Sequence, residues 1–181
     1  MRQVLLAAIL LLAACRREGA TGAASAGGSG SAARAPIAAI PGHPSGVSDD
    51  ELVAFTRWQR DYMDVLRRHM AELDAISQEY ASRPLGSDTK EMEARVAELT
   101  AHHAPEMQAL YDRVPLKGPK VELVTEAIGG IFHFDMQSKT YPLVVARDEM
   151  RLDADRRRFG PKVIDDIVAR EALILAALQR P

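Results

Sequence analysis

The apolar positions fall into three unlike stretches. Val4–Ala14 is an uninterrupted apolar run of 11 residues. Residues 16–47 show no period at all: seven Gly, nine Ala, four Ser and three Pro among 32 residues. From Ser48 onward a helical period takes over. Ser48 and Glu51 have capping-box spacing, with Asp49 and Asp50 suited to the positive end of a helix dipole. The stripe that follows is Leu52, Phe55, Gln59, Tyr62, Leu66, His69, Leu73, Ile76 and Tyr80, broadened by Trp58, Met63, Val65 and Met70. A stripe that wide predicts burial in a bundle rather than a narrow zipper seam. Pro84 and Gly86 end it.

A second helix is predicted from Ser87 or Asp88, on Met92, Val96, Leu99, His103, Met107 and Leu110. Pro105 either kinks this helix or opens a second segment. Pro115, Gly118 and Pro119 force a loop. A third helix starts near Lys120 on Val121, Val124, Ile128, Phe132 and Met136, running to Thr140, where Pro142 kinks or restarts it. Gly129 and Gly130 in its middle imply either a close helix–helix approach or a ligand pressed on the backbone. The continuation through Leu143, Val145, Leu152 and Phe159 is rich in charge and expected to be half exposed. Gly160-Pro161 is a stop and restart, and Ile164, Ile167, Val168, Leu175 and Leu178 mark the last helix. The fold class expected is all-α: an antiparallel bundle of four to five helices, with a disordered N-terminal tether and no β-sheet.

Charge separates the parts. Residues 48–181 carry 19 Lys+Arg against 24 Asp+Glu, net −5, while the whole 181-residue chain is −2. No basic excess marks a nucleic-acid binder. A single cysteine excludes an internal disulfide framework and a multi-Cys zinc site. An 11-residue apolar run is shorter than the roughly 18–20 residues a spanning helix needs, and with Arg2 before it, it fits a secretory signal.

Leu12-Ala13-Ala14-Cys15 closes that run and resembles the lipobox of bacterial lipoprotein precursors. The resemblance covers only these first residues. It implies a signal peptide 1–14, cleavage before Cys15, and a covalent diacylglycerol on the Cys15 thiol with an amide-linked acyl chain such as palmitate. Each buried CH₂ contributes about 0.8 kcal/mol to partitioning, so several chains hold a protein on a bilayer. In that family an Asp after the cysteine marks inner-membrane retention; Arg16 therefore implies an exported protein at the outer rather than the inner membrane. Residues 15–47 become the lipidated Cys15 plus a flexible tether of about 30 Å root-mean-square span, and 48–181 the helical domain. The partner implied is the lipid bilayer, with an envelope protein as a further one.

Chemistry is sparse. Gly28-Ser29-Gly30-Ser31-Ala32-Ala33 matches a dinucleotide fingerprint, but it lies in low-complexity sequence with no strand before it. There is no G-x-S-x-G and no H-E-x-x-H, and no catalytic residue is assigned. His69 and His103 lie on apolar stripes, each followed three residues later by a glutamate, Glu72 and Glu106. With His133 they are candidate metal ligands in a bundle interior, although di-metal bundles use Glu-x-x-His and none occurs here. A satisfied core histidine is the alternative. No noncovalent cofactor is expected. Arg156-Arg157-Arg158 reads as a salt-bridged helix end or an anion site, and the adjacent Asp165 and Asp166 as a solvated face. The expected role is a non-enzymatic interaction or accessory module, the alternative a ligand- or metal-binding bundle using its inward histidines.

Overall fold

The computed structural model describes residues 37–81, 89–134, 143–144 and 147–179. Among them are six helices: α1 (Asp49–Ala81), α2 (Thr89–Tyr111), α3 (Pro119–Ile131), α4 (Glu149–Phe159), α5 (Pro161–Val168) and α6 (Glu171–Leu178). Two short strands, β1 (His133–Phe134) and β2 (Leu143–Val144), pair antiparallel in the register His133↔Val144 and Phe134↔Leu143. The described chain is mostly helical, as its periodicity predicts.

The capping box is formed as the spacing requires. Ser48 Oγ accepts the Glu51 amide at 3.2 Å and Glu51 Oε2 accepts the Ser48 amide at 2.9 Å. Lys120 donates to both Glu51 oxygens at 2.9 and 3.1 Å, tying the start of α1 to the start of α3. Partial burial works against the Glu51 carboxylate, but the Ser48 amide and Lys120 outweigh it and hold its pKa below the ordinary value.

α2 runs unbroken through Pro105. The ring costs one backbone bond and crowds the preceding turn, yet the helix continues on both sides of it over 23 residues. α1 and α2 form an antiparallel hairpin. Partner numbers rise on one helix as they fall on the other: Trp58 with Leu110, Arg68 with Glu106, Glu72 with His103, Glu79 with Arg95.

Three expectations are corrected. First, the third helix does not run to Thr140. It ends at Ile131, and Phe132 turns extended (φ −128°, ψ 137°) with its ring 1% exposed. Two glycines weaken the helix end, and the chain enters β1, so the expected absence of β-sheet fails at this small ladder. Pro142 and Met136 lie outside the described residues. Second, the folded part includes 37–47, assigned above to the tether. Val47 and Ser45 are fully buried, Ile37 packs against the core, and Ile40 and His43 exchange backbone bonds at 2.9 and 3.2 Å. A Gly- and Pro-rich segment hides such docking, because the bonds from Ser45 and Val47 that dock it run to residues more than 100 positions away. Third, the last helical stretch is two helices, α5 and α6, divided at Ala169–Arg170.

The core gathers Val47, Leu52, Phe55, Leu116, Leu123, Ile128, Ile131, Phe132, Leu152, Ile164, Ile167 and Ile174, among others. It is built from the first turns of α1 together with α3 to α6. Gly130 is buried where α4 crosses: an added Cβ would stand 2.5 Å from Leu152 Cδ2. The glycine pair thus serves close helix approach, and the Asp148 amide reaches the Gly130 carbonyl at 2.9 Å. Leu152, expected half exposed, is fully buried, whereas Met150, two positions before it, is 82% exposed.

Candidate functional site

Two clusters hold three of the buried polar side chains, His69 and His103 in one and Ser45 in the other. The first lies inside the α1–α2 hairpin. Buried positions on the two stripes bring His69 and His103 face to face, with ring centroids 4.7 Å apart and planes 29° from parallel. They are 9% and 6% exposed. His103 Nε2 lies 3.3 Å from Glu72 Oε2. The exposed His102 sets its ring edge-on to His103 at 5.3 Å. His69 Nε2 is buried and makes no hydrogen bond. Burial pushes the His69 pKa below its ordinary value, the neighbouring His103 pushes the same way, and Glu72 opposes both. A base so placed favours its neutral form.

Of the three candidate metal ligands, His69 and His103 are therefore brought together. His133 supplies backbone to β1, and its side chain lies outside the described residues. Among the described residues no three His, Cys, Asp or Glu side chains converge as a metal set. Glu106, offered by spacing as a partner of His103, instead bonds Arg68 at 2.6 Å.

The second cluster was not legible in the sequence. Arg170, at the turn between α5 and α6, donates to the Val47 carbonyl (2.8 Å), Ser45 Oγ (3.0 Å), Asp166 Oδ2 (2.7 Å) and Asp49 Oδ1 (3.2 Å). Asp166 Oδ2 also accepts the Ser45 amide at 3.1 Å. His43 stands 3.8 Å from Asp166 and 4.0 Å from Asp49. Serine, histidine and aspartate in one place are the residue types of a nucleophilic triad, but the geometry is that of a clamp. A triad serine must give its proton to the histidine. Here Ser45 is 0% exposed, and its Oγ accepts from Arg170 and, at 3.3 Å, from the Val47 amide. Only Asp166 of the adjacent pair belongs to this cluster; Asp165 faces Arg156 at 2.8 Å. The solvated-face reading thus fails for Asp166, whose side chain is 12% exposed.

Two arginines of the run, Arg156 and Arg158, are engaged within the domain. Arg156 bonds Asp165, Asp153 and Glu149, and Arg158 pairs with Glu122 and Glu126. That agrees with a salt-bridged helix end. One S-x-x-K spacing, Ser87-Asp88-Thr89-Lys90, overlaps the start of α2, and its serine lies outside the described residues. Cys15 and the Gly28–Ala33 fingerprint also lie outside them. No helix among the described residues is long and apolar enough to cross a membrane. Compared with protein-family models, curated proteins and solved structures, the chain matches none.

Proposed function

We propose that this chain is a bacterial envelope lipoprotein, anchored by acyl chains on Cys15, whose acidic helical bundle serves as a non-enzymatic interaction or accessory module. One observation carries the reading: an 11-residue apolar run after Arg2 ends in Leu12-Ala13-Ala14-Cys15, and that cysteine is the only one in the chain. In this reading residues 1–14 are removed, the diacylglycerol on the thiol holds the protein on the bilayer, and Arg16 directs it to the outer membrane. The Gly/Ala/Ser-rich stretch after Cys15 lets the antiparallel bundle stand off the surface. Ser45 is held in a clamp and Arg156 and Arg158 in ion pairs within the domain, so the reading assigns none of them a catalytic or anion-binding role.

The test is Cys15→Ser in an expressing bacterium, with metabolic labelling by an alkyne fatty acid and membrane fractionation. Wild type should incorporate label and sediment with membranes. The variant should lose the label and leave the membrane fraction. A variant that stays as firmly membrane-bound as wild type would remove the proposal. Co-purification from mild detergent then identifies the partner, and a robust activity intrinsic to the purified domain would replace the non-enzymatic reading.

A further inference from the structure

The α1–α2 hairpin has a far half that the core does not support. No described hydrophobic side chain from Gln59 to Arg113 belongs to the core cluster or packs against it, although Arg60 at the near end reaches the Gln179 carbonyl at 3.4 Å. Among the described residues of that arm the buried side chains are Val65, His69, Ile76, His103 and Leu110. Two of these five are imidazoles, stacked on each other. Two of the five most buried described positions of the arm can thus acquire charge near neutral pH, among half-buried side chains such as Leu66, Met70, Val96 and Leu99.

We propose that the His69–His103 stack makes this arm an acid-operated element, closed at neutral pH and opened by double protonation while the core around Phe55 stays folded. The charged and titratable groups facing the stack come from both helices. From α1 they are Arg68 and Glu72, and from α2 they are His102 and Glu106. Arg68 and Glu106 neutralise each other at 2.6 Å. Glu72 lies within bonding reach of His103, so one proton on His103 is compensated. A second proton, on His69, has no such outlet. Its Nε2 is buried without an acceptor and its ring lies 4.7 Å from a cationic neighbour. Opening the arm gives that imidazolium water and separates the two charges. A group whose pKa is depressed in the folded state contributes stability above its unfolded value of about 6.5, and that stability is lost as pH falls through and below it. The depressed His69 pKa thus gives the same sign.

The test is hydrogen exchange by mass spectrometry on the full chain in detergent micelles at pH 7.5 and 5.0, corrected for intrinsic rates. Peptides from 66–81 and 89–107 should lose at least tenfold in protection at pH 5.0, while peptides of α3 keep theirs. His69→Phe and His103→Phe, which retain an aromatic stack without a second charge, should each hold the arm closed at pH 5.0. Glu72→Gln should open it at a higher pH than wild type, because the compensating carboxylate is gone. Equal arm protection at both pH values would overturn the proposal. So would a wild-type acid response persisting in both Phe variants. Should a Phe variant leave the arm unprotected even at pH 7.5, an NMR titration of His69 in wild type decides: a His69 that protonates fully while the arm stays protected refutes it.

Discussion

Gly129 and Gly130 are neighbours in sequence and near the end of one helix, yet alanine should act on them in opposite directions. Replacing glycine by alanine inside a helix gains up to about 1 kcal/mol, chiefly by narrowing the unfolded ensemble. At Gly129 the new Cβ would meet Arg151 Nη2 at 2.5 Å and Cζ at 2.8 Å. That guanidinium is the end of a flexible side chain, 43% exposed, held by Glu126 at 2.8 Å. It can swing into water at the expense of a surface ion pair, a contribution of at most about 1 kcal/mol. Gly129→Ala should therefore be neutral to mildly stabilising. At Gly130 the Cβ would meet Leu152 Cδ2 at 2.5 Å and Cγ at 2.9 Å, and Leu152 is 0% exposed. Leu152 is enclosed by the core and cannot swing away. Overpacking of that kind costs about 1–3 kcal/mol, more than the helix gain returns. Net destabilisation of about 1–2 kcal/mol follows, a fall in Tm of roughly 3–6 °C for a domain of this size. Urea unfolding followed by far-UV circular dichroism and by Trp58 fluorescence reads both variants against wild type. If Gly130→Ala proved as stable as Gly129→Ala, the close crossing of α4 over α3 would be wrong.

Two further outcomes are expected. Asp155 is 5% exposed with Oδ2 unbonded, and burial first, then the Glu126 carboxylate, raise its pKa against the pull of Arg151 and Arg158. A carboxyl with a raised folded pKa destabilises the fold as pH climbs through that value, so Asp155→Asn should stabilise at pH 7 by about 1 kcal/mol. The gain should vanish on acidification into the carboxylate range; a pH series of urea midpoints checks it, and a gain independent of pH contradicts it. Arg170→Ala removes five bonds, one each to Val47, Ser45 and Asp49 and two to Asp166, and leaves the 12%-exposed Asp166 side chain without its cation. A loss of about 2–3 kcal/mol follows, with new protease cleavage within 37–47; a segment as resistant as in wild type would show that the clamp does not hold it.

The helices themselves were legible because the information for each is local. Ser48, Glu51 and the acidic first turn fix the start of α1. Gly160-Pro161 marks the boundary between α4 and α5, where the glycine has φ 98°. Periodicity also identified His69 and His103 as inward-facing residues, since a helical stripe specifies a face. The end of α3 was less legible: the pattern through Phe132 and Met136 continues in register, yet Phe132 reaches the core from extended backbone.

What the sequence determined by itself was mostly helical order, the starts of α1, α3 and α5, and the acidic balance of the domain; Leu12-Ala13-Ala14-Cys15 resembles a lipobox. Apart from the acidic balance, which is a sum over the domain, each depends on residues within a few positions of one another. Only the tertiary structure decided that the two histidines meet one another, that Glu106 pairs with Arg68 and not with its own-helix histidine, and that Arg170 reaches back to Ser45 and Val47. Those contacts span 34 to 125 positions, and no local pattern encodes which surface of one helix meets which surface of another. Side-chain packing makes that choice, and at Gly130 the absence of a side chain makes it.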